Sequence, residues 1–232
     1  MIQKQTMKIF WKNFSKLCDA VLDLVFETRC LGCGLKGNVF CGTCIKSMPP
    51  SAANNLSKSD IHALFDYQHK IVKDAIWRLK YSGTKEIAGI FAHLLYDKFF
   101  EDLSERFVFE NFHDPLLVPI PLSAKRQRER GFNQAELIAK ELAMLAGEKN
   151  FFFEPSALLK TRDTPSQASI KNRDERLKNL NGCFSVRNKT AVLGRTIILV
   201  DDVSTTGATI QEARRALHKA GAKKVIAFVV AH

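Results

Sequence analysis

Asp201 and Asp202 stand side by side at the end of the apolar run Ile197-Ile198-Leu199-Val200, and after one residue the chain continues Ser204-Thr205-Thr206-Gly207-Ala208-Thr209. An apolar strand that delivers carboxylates to its carboxyl end and then turns through hydroxyls and glycine into a helix builds an anion site. Backbone N–H groups point into the turn, and the helix adds the positive end of its dipole. Gly207 removes the Cβ that would hold the backbone away from an anion. Two carboxylates beside a bound anion repel it unless they meet something else, and sugar hydroxyls and a metal ion are natural partners. A ribose 5-phosphate engages both halves of this segment at once, with Mg²⁺ as the hard cation suited to the remaining oxygen ligands.

Lys125, Arg126, Arg128 and Arg130 fall within the stretch 125–130, directly after Pro119-Ile120-Pro121. They read as a loop at the end of a strand. Guanidinium groups suit bidentate phosphate contact, and Arg126 and Arg130 are the pair expected at the ligand. Phe132 either stacks on a base or anchors the helix that follows. Residues 159–184 are again basic and polar, with Arg162, Gln167, Arg173 and Arg176. This stretch reads as a hood over a site, as a nucleic-acid-contacting arm, or as a plain surface segment. Lys125, Arg126, Arg128, Arg130, Arg162, Arg173 and Arg176 together form a candidate surface for single-stranded DNA. Its binding would be salt-sensitive and largely blind to sequence, because no base-reading element is visible.

Cys30-x-x-Cys33 and Cys41-x-x-Cys44 can supply four thiolates to one tetrahedral Zn²⁺. Gly34 and Gly42 lie next to these cysteines, where tight turns need a permissive backbone. All four sulfurs are used, so the site reads as structural. A redox pair and an iron–sulfur cluster are the alternatives. Cys18 and Cys183 read as small buried apolar residues.

The elements that must position these groups follow from periodicity. Residues 8–27 have an amphipathic helical pattern. Strands are expected at 61–68, 116–122, 195–202 and 223–232, and helices at 69–81, 85–103, 133–146 (with Asn133 as N-cap) and 206–221. Strand and helix alternate from about Ile61 onward, which implies a mostly parallel sheet with helices on both faces. The chain has 232 residues, 46% of them hydrophobic, with 35 basic and 24 acidic side chains and a net charge of +11. That excess favours phosphate-rich partners. No apolar run reaches the length of a membrane span, and no secretory leader is legible.

The order of Cys-Leu-Gly-Cys, Cys-Gly-Thr-Cys, LKYSG, PIPLSAKRQRERGFNQA, RDTPSQASIKNRDERLKN and ILVDDVSTTGAT resembles the ComF family of competence proteins, of the ComFC type. Residues 130–135 and 200–209 are its most specific parts, and residues 198–209 resemble the phosphoribosyl-pyrophosphate fingerprint of type I phosphoribosyltransferases. The resemblance implies an α/β fold, a type I phosphoribosyltransferase-like parallel sheet flanked by helices, with a small N-terminal four-cysteine zinc module. With it the chain divides into a zinc-binding module at 29–48 and a phosphoribosyltransferase-like domain at 60–232; the amphipathic helix at 1–28, outside the motifs of the resemblance, and the linker at 49–59 are read from periodicity and from Pro, Ser and Asn content. By the same resemblance Asp201 and Asp202 would bind the ribose 2′- and 3′-hydroxyls and stand at the reacting centre. Ser204, Thr205, Thr206, Gly207, Ala208 and Thr209 would hold the 5-phosphate. Mg²⁺ would accompany the pyrophosphate. The implied role is natural transformation in the cytoplasm, acting on single-stranded DNA together with other DNA-uptake or recombination proteins; association with the inner face of the membrane is left open. The alternative is an active phosphoribosyltransferase of nucleotide metabolism whose acceptor no motif identifies.

Overall fold

The computed structural model describes residues 27–52, 60–109, 115–147, 151–163 and 180–232, and for 100–109 only the backbone. The helix expected at 8–27, Cys18, most of the linker, and Gln167, Arg173 and Arg176 lie outside the described residues. The chain divides into two compact units, Met1–Ser47 and Met48–His232.

In the larger unit, strands β1 (Ile61–Phe65), β2 (Leu116–Pro119), β3 (Phe152–Phe153), β6 (Thr196–Val203) and β7 (Lys224–Ala231) form one sheet in the order β1-β7-β6-β2-β3. Every neighbouring pair is parallel. Two further strands, β4 (Leu158–Lys160) and β5 (Phe184–Val186), pair antiparallel beside it. The central strand β6 has sheet partners on both sides, so its row of Ile, Leu and Val is buried on both faces, as parallel sheets require. Ile197 and Leu199 join Val225, Ala227 and Val229 in a core that includes Ile210, Ala213 and Leu217 of helix Ala208–Lys219. Strand alternation sends Ile198 and Val200 to the opposite face. There helix Gln134–Ala146 packs on β6 and on the long helix Glu86–Phe109.

Strands β1, β2 and β7 are shorter than the expected ones, and β6 is shifted by one residue from 195–202. Strand β2 ends at Pro119 because proline donates nothing to the ladder and Pro121 follows. Residues 49–51, at the start of the expected linker, lie along β1: the Ser51 N–H donates to the Leu64 carbonyl at 3.1 Å. The basic stretch after β2 differs most. It is not a loop but a helix, Ala124–Arg130. Ser123 caps it by accepting from the Arg126 N–H, and Gly131 ends it in the left-handed region at φ 77. The seven helical residues are all strong helix formers. Their charge density hid that propensity.

Asn133 is the N-cap of helix Gln134–Ala146, as its sequence position suggested. Its Oδ1 accepts from the Ala135 N–H at 3.1 Å, and its Nδ2 donates to the Ile120 carbonyl at 3.0 Å. The Ile120 N–H in turn donates to the Val200 carbonyl at 2.9 Å. One buried amide therefore ties the strand exit, the helix start and the sheet together. Asn133→Ala removes the cap and leaves a buried carbonyl unpaired. The expected loss is about 2 kcal/mol, read as a lower urea midpoint with an unchanged slope.

Candidate functional site

The carboxyl ends of β1, β2 and β6 open onto a cleft of about 790 Å³. Its floor holds Asp201, Asp202 and the whole turn from Ser204 to Thr209. Arg126 and Arg130 line it from helix Ala124–Arg130. Their four-residue spacing puts both on one helical face, half-buried, while Lys125 and Arg128 are exposed and lie outside the lining. Arg162 is likewise outside it, donating to the Asn181 carbonyl at 2.6 Å. Phe132 does not line the cleft either; the Lys85 ammonium sits 5.4 Å from its ring centre.

Asp202 is buried, and the Lys80 Nζ lies 2.9 Å from its Oδ2. Asp201 Oδ1 accepts from the Asp202 N–H at 2.8 Å. Desolvation first, and the Asp202 charge second, push the Asp201 carboxyl up to about 8, against the opposing pull of Lys80, the Asp202 N–H and Lys160. Lys160 also lines the cleft, and burial lowers its pKa. Two lysines therefore face two acids. Neither lysine was identified from the sequence as a site residue. The signal for Lys80 was present: it follows the buried Leu79 on the flank of an amphipathic helix, Lys70–Tyr81, and so points along the edge of the core.

The turn itself is ready for an anion. Gly207 is the left-handed N-cap of helix Ala208–Lys219, at φ 74, a conformation that favours glycine. The Ser204 N–H is used by the Ala231 carbonyl at 2.9 Å, but the Ser204 Oγ is buried and, among the described residues, has no hydrogen-bond partner. A buried hydroxyl without a partner costs about 1–3 kcal/mol. A ligand oxygen at the helix N-terminus would satisfy it.

In the smaller unit the ligand atoms of Cys30, Cys33, Cys41 and Cys44 lie within 4.8 Å of one another. The Cys33 and Cys41 sulfurs are 3.7 Å apart. A tetrahedron with Zn–S bonds of about 2.3 Å has edges of about 3.8 Å, so the four sulfurs fit that ion. The Cys41 N–H donates to the Cys30 Sγ at 3.3 Å, and the backbone N–H groups of Cys33 and Cys41 hold the Cys30 thiol down to about 6. Hydrogen bonding with Cys41, then burial, pushes Cys44 up to about 12. As thiolates, these four sulfurs would suit one tetrahedral cation. Gly34 adopts φ 76 and needs its freedom, whereas Gly42 simply begins the short helix Gly42–Ser47.

Comparison with known proteins agrees with this geometry. Residues 129–232 match the phosphoribosyl transferase domain family. The competence protein ComFC of Bacillus subtilis (strain 168) is 38% identical over 154 residues, 65% of this chain and 55% of that protein. The chain thus spans little more than half of that relative. The DNA utilization protein YhgH of Escherichia coli (strain K12) is 31% identical over 202 residues, 86% of this chain and 82% of that protein. This chain belongs to the ComF family. ComFC of Streptococcus pneumoniae (strain ATCC BAA-255 / R6) is a further relative, 34% identical over 166 residues. The matched phosphoribosyl transferase region contains Arg130, Lys160 and the acid pair with its turn, whereas Lys80 and Arg126 lie before it. Part of this chain's cleft lining therefore comes from residues before the matched domain. Among the described residues no helix is long and apolar enough to cross a membrane.

Two outcomes follow from this chemistry. Elemental analysis should find one zinc per chain, and Cys41→Ser should lose it; iron, or metal retained by the variant, would contradict the tetrahedral reading. The raised Asp201 pKa means that the folded state binds a proton the unfolded state lacks between about pH 4 and pH 8. Stability in the absence of ligand should therefore fall as pH rises through that window and level off above 8. Asp201→Asn keeps the neutral form at every pH. It should raise the melting temperature by on the order of 5 °C at pH 8, with the gain shrinking towards pH 4.

Proposed function

We propose that this protein binds phosphoribosyl pyrophosphate in the cleft and acts on single-stranded DNA in the cytoplasm, in the competence or DNA-utilization role named for its relatives. The observation that carries the reading is the pairing, at one strand end, of the acids with an anion-ready turn that holds a buried, unpartnered hydroxyl. In this reading Ser204–Thr209 hold the 5-phosphate through backbone N–H groups and hydroxyls. Asp201 and Asp202 accept from the ribose 2′- and 3′-hydroxyls, with Lys80 paired to Asp202 at 2.9 Å. Arg126 and Arg130 face the pyrophosphate, whose charge Mg²⁺ neutralises. Lys125, Arg128 and Arg162, exposed outside the cleft, together with Arg173 and Arg176, supply the nonspecific attraction for DNA phosphates.

Transfer of the phosphoribosyl group to an acceptor is a second reading, and the position of Asp201 favours it. A carboxylate there would place negative charge beside the ribose, where positive charge would develop at C1 as pyrophosphate leaves.

Titration calorimetry with phosphoribosyl pyrophosphate and Mg²⁺ tests the first reading. Wild type should bind, and Asp201→Asn/Asp202→Asn should bind at least tenfold more weakly. Equal binding would remove the acids from the site. Release of labelled pyrophosphate on addition of candidate bases or single-stranded DNA would establish turnover.

A further inference from the structure

Helix Lys70–Tyr81 carries two stripes. Val72, Ala75, Ile76 and Leu79 are buried in the core. Lys73, Trp77, Lys80 and Tyr81, at spacings of four, three and one, turn towards the cleft and line it. Trp77 and Tyr81 are 58% and 60% exposed, which is unusual for two large aromatic residues one turn apart in a cleft. Their ring centres are 5.7 Å apart with planes tilted by 47°. Tyr81 is fixed from one side: the Arg130 guanidinium carbon lies 5.2 Å from its ring centre, and Arg130 Nη2 donates to its hydroxyl at 3.2 Å. Lys80, one turn from Trp77 and adjacent to Tyr81, is anchored on Asp202 at 2.9 Å. The aromatic pair is thereby held about one helical turn from the acids.

We propose that Trp77 and Tyr81 form a stacking platform for an unpaired nucleobase. The combination of chemistry in the cleft is what selects this occupant. Flat π faces, two carboxylates suited to sugar hydroxyls, and the cations Lys73, Arg126 and Arg130 suited to phosphate all line it. A nucleotide carries a base, a sugar and a phosphate and meets all three, whereas an apolar peptide would leave the acids and cations without partners. Stacking on aromatic side chains tolerates any base, because every base has a π face, and this matches a cleft with no legible base-reading motif. The base could belong to a single-stranded DNA or be free, and the chemistry of the platform is the same for both. The inference relies on the proposed phosphoribosyl pyrophosphate site only for the identity of the neighbouring sugar.

The chain has two tryptophans, Trp11 and Trp77, so a Trp11→Phe chain makes Trp77 the only tryptophan reporter. Its emission is followed without phosphoribosyl pyrophosphate during titration with a ten-nucleotide oligothymidylate, with an abasic strand of equal length, and with free thymine. The oligonucleotide should quench Trp77 and the abasic strand should not; quenching by free thymine alone would assign the platform to a free base. By anisotropy of a labelled oligonucleotide, Trp77→Ala in the otherwise natural chain should weaken binding roughly 5- to 150-fold, the range seen when single stacking aromatics are removed. Trp77→Phe should restore most of it. The salt dependence should be unchanged in Trp77→Ala, since stacking releases no counterions. Wild-type affinity in Trp77→Ala, equal binding of the abasic strand, or no quenching by any base would each overturn the proposal. Because the donor is absent throughout, failure here leaves the calorimetric test of the donor site standing, and the reverse also holds.

Discussion

Two adjacent carboxylates at the end of a strand buried on both faces repel each other and lose solvation. The ion pair between Lys80 and Asp202, at 2.9 Å and largely out of solvent, is what lets the strand carry them. It gives Asp202 a cation as partner, while desolvation and the Asp202 charge push the Asp201 carboxyl up to about 8. Removing either partner of a buried pair typically costs 3–5 kcal/mol, because the remaining charge has no compensation. The pair also sets geometry. It draws helix Lys70–Tyr81 over the carboxyl end of β6, and with the helix come the second wall of the cleft and the exposed aromatics.

The same strand exit serves opposite charges within a few residues. Asp201 and Asp202 suit donors and cations, while the turn that follows suits anions through its N–H groups and the helix dipole. A ligand with only one sign of charge would satisfy half of the cleft. A phosphorylated sugar would satisfy both halves, and the buried Ser204 hydroxyl, which has no hydrogen-bond partner among the described residues, lies on the anionic half. The cost of this arrangement is a less stable empty protein, a common feature of functional sites. The four-cysteine unit is a separate solution to a separate problem: a segment of this size has little apolar core, and a metal held by four sulfurs would supply the folding energy instead.

Much of this was legible in the sequence, for physical reasons that can be named. The strand β6 and its turn were readable because a doubly buried strand, an acid pair and a hydroxyl-glycine turn each carry a strong local signal. Asn133 was readable as a cap because it precedes an apolar periodic run. The family resemblance rested on these same segments. The place of Lys80 on the flank of an amphipathic helix was readable, but its partner, like the surroundings of Lys160, was not, since a lysine reveals its partner only when the fold brings a distant acid to it. The basic stretch 124–130 was misread as a loop because charge density was weighed above helix propensity. The helical form explains what a loop would not: why Arg126 and Arg130 share a face while Lys125 and Arg128 do not. The pairing of β4 with β5 joins distant short segments and leaves no local pattern.

Asp201, whose carboxyl desolvation and the Asp202 charge push up to about 8, is where binding of the donor is tested most directly. Calorimetric titration of the protein with phosphoribosyl pyrophosphate and Mg²⁺ at pH 7.5, repeated in buffers of different ionisation enthalpy, counts the protons exchanged on binding. At that pH the ligand's own phosphates are almost fully ionised, whereas a carboxyl near 8 is mostly protonated. The account predicts release of most of one proton per ligand bound. Binding with no proton release would mean that Asp201 is already ionised in the empty cleft or never meets the ligand, and either result would contradict it.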